Sequence, residues 1–294
     1  MSYPIDVAFE EQLISNLTIL TQQKASKLMK ACTVRKTHAK HVDFPRLGNG
    51  EVSEITTRHA ATVLEDLPHS KVRVVLRDFS KATALDQEDD QKTLIEFKSP
   101  YVRQLASAHG RKMDDLIITA ADAATTVVDN TGATSTEAVA NTIDDDFGTG
   151  SNNDITVEKL LETRRIYASE EVDLDNEEVF FVLDPISERE LLSETQVTSS
   201  DYNSSKVLTD GKLNAFLGFQ FIMSNRLNTA SGVNDVKSLA IVKSGMGLAI
   251  NNDVSVAIDK RPDLNNLTQV LAKMSAEAVR IEDNKVIVVE AYRA

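Results

Sequence analysis

The segment Gly211-Lys212-Leu213-Asn214-Ala215-Phe216-Leu217-Gly218-Phe219-Gln220-Phe221-Ile222-Met223-Ser224-Asn225-Arg226-Leu227 decides how this 294-residue chain is read. Phe219, Phe221 and Met223 recur with a period of two, which predicts a strand. Upstream, Val179-Phe180-Phe181-Val182-Leu183 is a short apolar run of the kind that forms a buried strand. Asp184-Pro185 then supplies an N-cap and a proline at the first helical position of a helix reaching Glu194. A helix over 157–169 precedes this pair, and the polar stretch Thr195–Asp210 leads into the quoted segment. Downstream, Ser238–Lys243 predicts a further strand and Gly245–Ile250 a short helix. Strands and helices alternate closely enough here to form one α/β unit.

On the C-terminal side, Val254, Val256 and Ile258 alternate, and Arg261-Pro262 breaks the run. Leu267–Ile281 predicts a strand or two, and Asp283-Asn284 tolerates the positive φ of a tight turn. Ser275–Ile281 is expected to pair with Val286–Val289 as a hairpin. On the N-terminal side, Ser99 caps a helix over about 99–124, with Pro100 at its first position and Val102, Leu105, Met113, Leu116 and Ile117 on its apolar face. At 1.5 Å per residue it spans roughly 35–40 Å, more a spine than a core helix. Residues 129–154, rich in Asp, Asn, Thr and Gly, are expected to be an exposed loop.

Residues 50–80 predict a long β-hairpin turning at Leu67-Pro68-His69-Ser70. Its return strand carries Val72, Val74 and Leu76, and its outgoing strand, Val52–Val63, is polar. Such a ribbon is marginal in water by itself and needs another surface. Residues 7–31 predict a helix with a thin stripe of Val7, Leu13, Leu17, Leu20, Leu28 and Met29, suited to an arm lying on something else.

Charge separates along the chain. Overall, 45 Asp and Glu stand against 32 Lys and Arg, a net charge of −13. Between Asp114 and Asp201 the only bases are Lys159, Arg164, Arg165 and Arg189, while Met1–Lys81 is slightly basic. A strongly acidic chain does not wrap nucleic acid with its whole surface. The single cysteine, Cys32, excludes an intramolecular disulfide and a cysteine-rich zinc site, and packing accounts for it. No apolar stretch approaches the ~20 residues of a membrane helix.

Catalytic signals are missing. His38-x-x-His41 with Asp43 has metal-like spacing but too few ligands. Asp144-Asp145-Asp146 lacks the calcium-loop spacing and its closing Glu. Asp146-Phe147-Gly148 lacks every other kinase motif, and Ser244-Gly245-Met246-Gly247 lacks the glycine before the serine of a nucleophile elbow. Lys24, Lys27, Lys30, Arg35, Lys36 and Lys40 suit a solvated face, a protein contact or nucleic acid. No nucleophile sits beside an oriented base.

Gly211–Leu227 resembles a segment of tailed-bacteriophage major capsid proteins, in which a "G-x-hydrophobic…G-F" stretch leads into a strand ending in Ser-Asn-x-Leu. Gly110-Arg111-Lys112-Met113-Asp114-Asp115-Leu116-Ile117 resembles their spine helix. Lys243–Ala249 followed by Asp253-Val254 resembles their return to the peripheral domain. Gln269–Met274 through Ala278–Ile281 is similar to their ending. The order and spacing of these segments over residues 85–294 carry the resemblance.

The resemblance implies an α+β fold of the Hong Kong 97 type. Residues 1–42 would be an N-terminal arm and 43–85 an extended β-hairpin loop. Residues 86–128 and 252–294 would form a peripheral domain with its spine helix, and 129–251 an axial α/β domain. It implies a non-enzymatic shell protein without cofactor or metal, self-assembling through pentamers and hexamers into an icosahedral capsid. That shell encloses double-stranded DNA without sequence-specific binding, and it forms in the bacterial host cytoplasm. Expected partners are a separate scaffolding protein, a portal protein and, optionally, a decoration protein, with no membrane and no covalent crosslinking of subunits. Lys71, Arg73 and Arg77 on the extended loop are expected to meet acidic residues of neighbours, such as Asp86, Glu88, Asp89 and Asp90. The rival readings are an encapsulin-like compartment, a soluble α/β enzyme, and a phage tail or decoration protein.

Overall fold

A computed structural model describes residues 22–50, 52, 54, 58, 64, 66–85, 98–148, 153–194, 215–229, 235–264 and 266–293. After a 3-10 turn at Met29–Ala31 come β1 (Thr33–Lys36), β2 (His41–Leu47), β3 (His69–Val75) and β4 (Arg77–Leu85). The spine helix α1 (Lys98–Asp122) leads to β5 (Thr125–Asp129), β6 (Thr134–Glu137) and β7 (Asn141–Ile143). Helix α2 (Val157–Ser169), β8 (Val179–Leu183) and α3 (Pro185–Ser193) follow, then β9 (Ala215–Phe216), β10 (Phe219–Met223) and β11 (Asp235–Val242). The chain closes with β12 (Met246–Arg261), β13 (Leu267–Arg280) and β14 (Val286–Tyr292).

The strands form three sheets, ordered β1-β12-β13-β4, β7-β14-β11-β8-β10-β9 and β2-β3-β5-β6. The six-stranded sheet is apolar on both faces because both are covered. Phe180, Val182, Ile241, Val286 and Val288 face α1, through Leu116, Ile117 and Ala121, and the long sheet, through Leu248 and Met274. Phe181, Val242, Ile287 and Val289 pack on Leu160 and Tyr167 of α2 and Leu191 of α3. All five residues of β8 are therefore buried. Thr156 caps α2 by accepting from Lys159 N–H. Asp184 caps α3 by accepting from the N–H groups of Ile186 and Ser187, with Pro185 opening the helix as its sequence position predicts.

Six expectations change. Of the predicted helix 7–31, residues 7–21 lie outside the described residues, and among the described ones only Met29–Ala31 forms a helical turn. The N–H groups of Lys27 and Leu28 donate to the Asp114 carboxylate instead of to helical carbonyls. The partner of β3 is β2, in the register His41↔Val75 to Leu47↔His69, rather than 52–63, most of which lies outside the described residues. Val42 and Phe44 give β2 the apolar face that the polar stretch lacks. Leu67–Ser70 is not a turn, since Gly48 N–H donates to Pro68 O at 2.8 Å and β3 starts at His69.

Residues 129–154 contain β6 and β7. Asp129 Oδ1 accepts from the N–H groups of Thr131 and Ala133, both at 2.9 Å, and Gly132 takes φ +84°, which folds the chain back into β6. Residues 246–250 are strand, not helix, because β1 and β13 bond them from either side. Ser275–Ile281 and Val286–Val289 do not pair: β13 lies between β12 and β4, whereas β14 lies between β11 and β7. The 3-10 turn Asp283–Lys285 is a corner between two sheets. Strand β14, grouped by sequence with the peripheral part, thus completes the sheet built by the 129–251 part.

Candidate assembly surface

The ribbon β2–β3 has one apolar and one charged face, as alternation requires. Val42, Phe44, Val72 and Val74 are buried with Val127, Ala249 and Val279. Phe44 lies over Gly247, where an added Cβ would come within 2.8 Å of its ring, and Arg35 stacks 5.1 Å from that ring's centre. On the other face Asp43 stands opposite Arg73. It accepts from Arg73 Nε at 2.8 Å and Nη2 at 3.0 Å, and from Lys71 Nζ at 2.9 Å. Arg73 and Lys71 hold the Asp43 carboxyl well below the usual carboxylate range.

Of the sequence-singled cations, then, Lys71 and Arg73 meet on one carboxylate of their own chain. Arg77 pairs separately with Glu277 of β13, with Nη2 2.8 Å from Oε1. Asp86, Glu88, Asp89 and Asp90 lie outside the described residues. No group of three or more His, Cys, Asp or Glu gathers among the described residues.

The base of the ribbon is fixed by residues that sequence patterning did not single out. Arg46 of β2 makes a two-pronged pair with Glu137 of β6, at 2.9 and 3.0 Å, and donates to Ile281 O at 3.1 Å. Arg46 keeps Glu137 below its ordinary range. Arg280, fully buried, donates to Ala121 O at 3.0 Å, Ala123 O at 2.9 Å and Glu137 O at 3.1 Å, and pairs with Asp283. It therefore caps the carbonyl end of α1, where a cation is favoured, and pins the corner before β14. Burial raises the Asp283 carboxyl above its ordinary value.

The motif Gly110–Ile117 is a clamp for the arm. Asp114 is fully buried and accepts from Ser26 Oγ at 2.5 Å, from the N–H groups of Lys27 and Leu28, and from Gln23. Arg111 donates to Gln22 Oε1 at 2.8 Å. A Cβ on Gly110 would stand 3.0 Å from Ser26 N and 3.1 Å from Ala25 C, so glycine lets the arm backbone cross the helix. Asp115 pairs with Arg226, near the end of the Gly211–Leu227 segment. Cys32 packs beneath the arm, its thiol pushed up to about 12 by burial and by Asp114.

At the far side of the six-stranded sheet, the buried Lys159 donates to Asp145 O at 3.2 Å and to Asn153 O and Glu290 O at 2.9 Å. One ammonium so gathers the acidic loop, α2 and β14. Among the described residues no helix is long and apolar enough to cross a membrane.

Structures of phage capsids share this architecture. The capsid structure of the cyanophage P-SCSP1u overlaps with a TM-score of 0.76 and 14% identity, covering 100% of this chain and 96% of that chain. The head of Helicobacter pylori bacteriophage KHP40 overlaps with a TM-score of 0.74 and 9% identity, covering 96% of each chain. Mycobacterium phage Che8 gives a TM-score of 0.69 and 14% identity, covering 95% of this chain and 96% of that one. At these identities the overlap establishes the α+β capsid fold. No curated protein matches. The family described as phage capsid protein matches residues 5–292, nearly the whole sequence. With ribbon, clamped arm, spine helix and two-faced sheet all in place, the chain belongs to the phage capsid protein family.

Proposed function

We propose that this chain, a phage capsid protein, is the major shell subunit of a tailed double-stranded DNA bacteriophage, assembling through pentamers and hexamers into an icosahedral shell. The observation that carries the reading is the family match over residues 5–292, together with full-length overlap with phage capsids. The family is structural rather than enzymatic, and the phage capsids it resembles give the encapsulin-like alternative no support.

The ribbon favours a role between subunits. Leu47 is 58% and Val75 52% exposed beside Lys71 and Arg73, a mixture of apolar and charged side chains suited to a protein partner. Lys71, Arg73 and Arg77 would meet acidic residues of neighbours, with Asp86, Glu88, Asp89 and Asp90 as candidates. The division into arm, extended loop, peripheral part and axial part stands as a proposal, with β14 joined to the axial sheet. A separate scaffolding protein, a portal protein and an optional decoration protein would complete the particle, assembled in the host cytoplasm.

Negative-stain electron microscopy with light scattering, on the chain alone and with a candidate scaffolding protein, tests the reading. Closed shells or ring-shaped capsomers are expected. Small discrete oligomers under both conditions would overturn it.

A further inference from the structure

An apolar shelf runs beside the N-terminal half of α1. On β12, Val256 and Ile258 stand opposite Ala272 and Val270 of β13, so the four share one sheet face. Val270 and Ala272 are sealed under Leu105, with Tyr101 and Val102 alongside. One strand further out, Val256 is 36% and Ile258 48% exposed, and Leu264 beyond the strand is 51% exposed. Strand β1 bonds β12 only at Gly247–Ile250, so among the described residues no strand flanks this outer stretch. Lys260, opposite Thr268, continues the same face, and the exposed Arg103 stands on α1 two turns before Gly110. The shelf thus has a helical wall, an apolar floor and a cation, Lys260, at its end, with Arg103 exposed on the helix that forms the wall.

We propose that residues 1–21 of the same chain lie along this shelf. The segment is continuous with a contact already made: Gln22 is held by Arg111, and Ala25–Ser26 crosses α1 at Gly110. From Gly110 to Tyr101 is about 14 Å along the helix, and 21 residues span about 30 Å even when helical, so the reach is ample. The chemistry matches as well. Val7, Leu13, Leu17 and Leu20 give the segment an apolar stripe, and its charges are Asp6, Glu10 and Glu11, with no Lys or Arg, opposite in sign to Lys260 and Arg103. The proposal concerns the packing of one subunit and does not rest on the capsid reading.

The test uses the full chain carrying Ile258→Cys together with Leu13→Cys or with Leu17→Cys, under mild oxidation. The native thiol, Cys32, is buried and does not compete. For one of the two pairs we expect a disulfide within a single chain, migrating as a monomer on a non-reducing gel and identified by peptide mass. Covalently joined chains would assign the shelf to another copy, and absence of a disulfide from both pairs would leave it uncovered; either result overturns the proposal. As a second readout, Ile258→Cys alone should react with a maleimide about tenfold more slowly than in a chain that also carries Leu13→Asp and Leu17→Asp. Equal rates would overturn the proposal.

Discussion

Arg280 occupies a position where hydrophobic patterning expects an apolar residue. It is buried because four acceptors from three parts of the chain surround it: the end of α1, the end of β6 and Asp283. Removing it leaves those carbonyls and a carboxylate without their donor. Arg280→Ala should therefore cost about 3–5 kcal/mol, as for breaking a buried pair from one side, measured by denaturant unfolding of the unassembled subunit. A loss below about 1 kcal/mol would show that water replaces the guanidinium. Glu190 is the opposite case. Burial and nearby Asp154 push its carboxyl up to about 7. A raised carboxyl pKa means the folded state favours the neutral form, so its stability is intact below the ordinary Glu value and is lost as pH climbs through about 7. Glu190→Gln should accordingly gain on the order of 1–2 kcal/mol at pH 8 and almost nothing at pH 4, read from melting curves at the two pH values.

Among the elements, those that declare themselves in sequence are the ones whose local signals agree with their burial. Helix α2, strand β8 and helix α3 each carry a cap, a proline or an unbroken apolar run, and each forms where expected. The long helix α1 covers the expected range but begins at Lys98, which puts Ser99 and Pro100 inside its first turn rather than at the cap and first position. What stayed hidden depends on contacts between distant residues. Met246–Ile250 has the composition of a short helix, but two flanking strands convert it to strand. Val286–Val289 is an apolar run that follows a turn signal like the return arm of a hairpin, yet its partners lie in β11 and β7. At the candidate site, Lys71, Arg73 and Arg77 were legible as exposed cations, whereas Asp43 as the shared partner of Lys71 and Arg73 follows only from the β2–β3 register. The arm clamp was visible as a motif without a reason, since Gly110 and Asp114 act on a backbone more than 80 residues away. Gly110→Val should displace that backbone and free the arm. Trypsin cleavage at Lys24 and Lys27 is expected to accelerate by about tenfold while the rest of the chain resists. Unchanged cleavage would mean that Asp114 alone holds the arm.

Across the whole molecule, charge is unevenly divided along the chain. Between Gln22 and Gly50 seven Lys and Arg accompany one acid, Asp43, whereas between Asp144 and Glu194 sixteen Asp and Glu accompany four bases. A basic stretch of one copy and an acidic stretch of another attract where they meet, and the attraction weakens with salt. Because Arg73 already serves Asp43, reversing it alone would also damage the ribbon. The informative variant combines Arg73→Asp and Lys71→Asp with Asp43→Arg, which keeps the cross-strand pairs but exchanges their signs. If Arg73 contacts neighbours, the unassembled variant should melt like the parent and yet form malformed shells or none. Normal shells would confine the pair to a role within its own ribbon.

The corner at Asp283–Lys285 also has a mechanical meaning. Strand β13 is bonded along both edges, to β12 and to β4, and then passes directly into β14 in another sheet. Tension drawn along β13 meets two rows of hydrogen bonds sideways, so they must yield together rather than peel one after another. Whatever strain escapes is handed through Arg280 to a second sheet instead of opening a hairpin. A wall tiled from such subunits would stretch stiffly and fail abruptly.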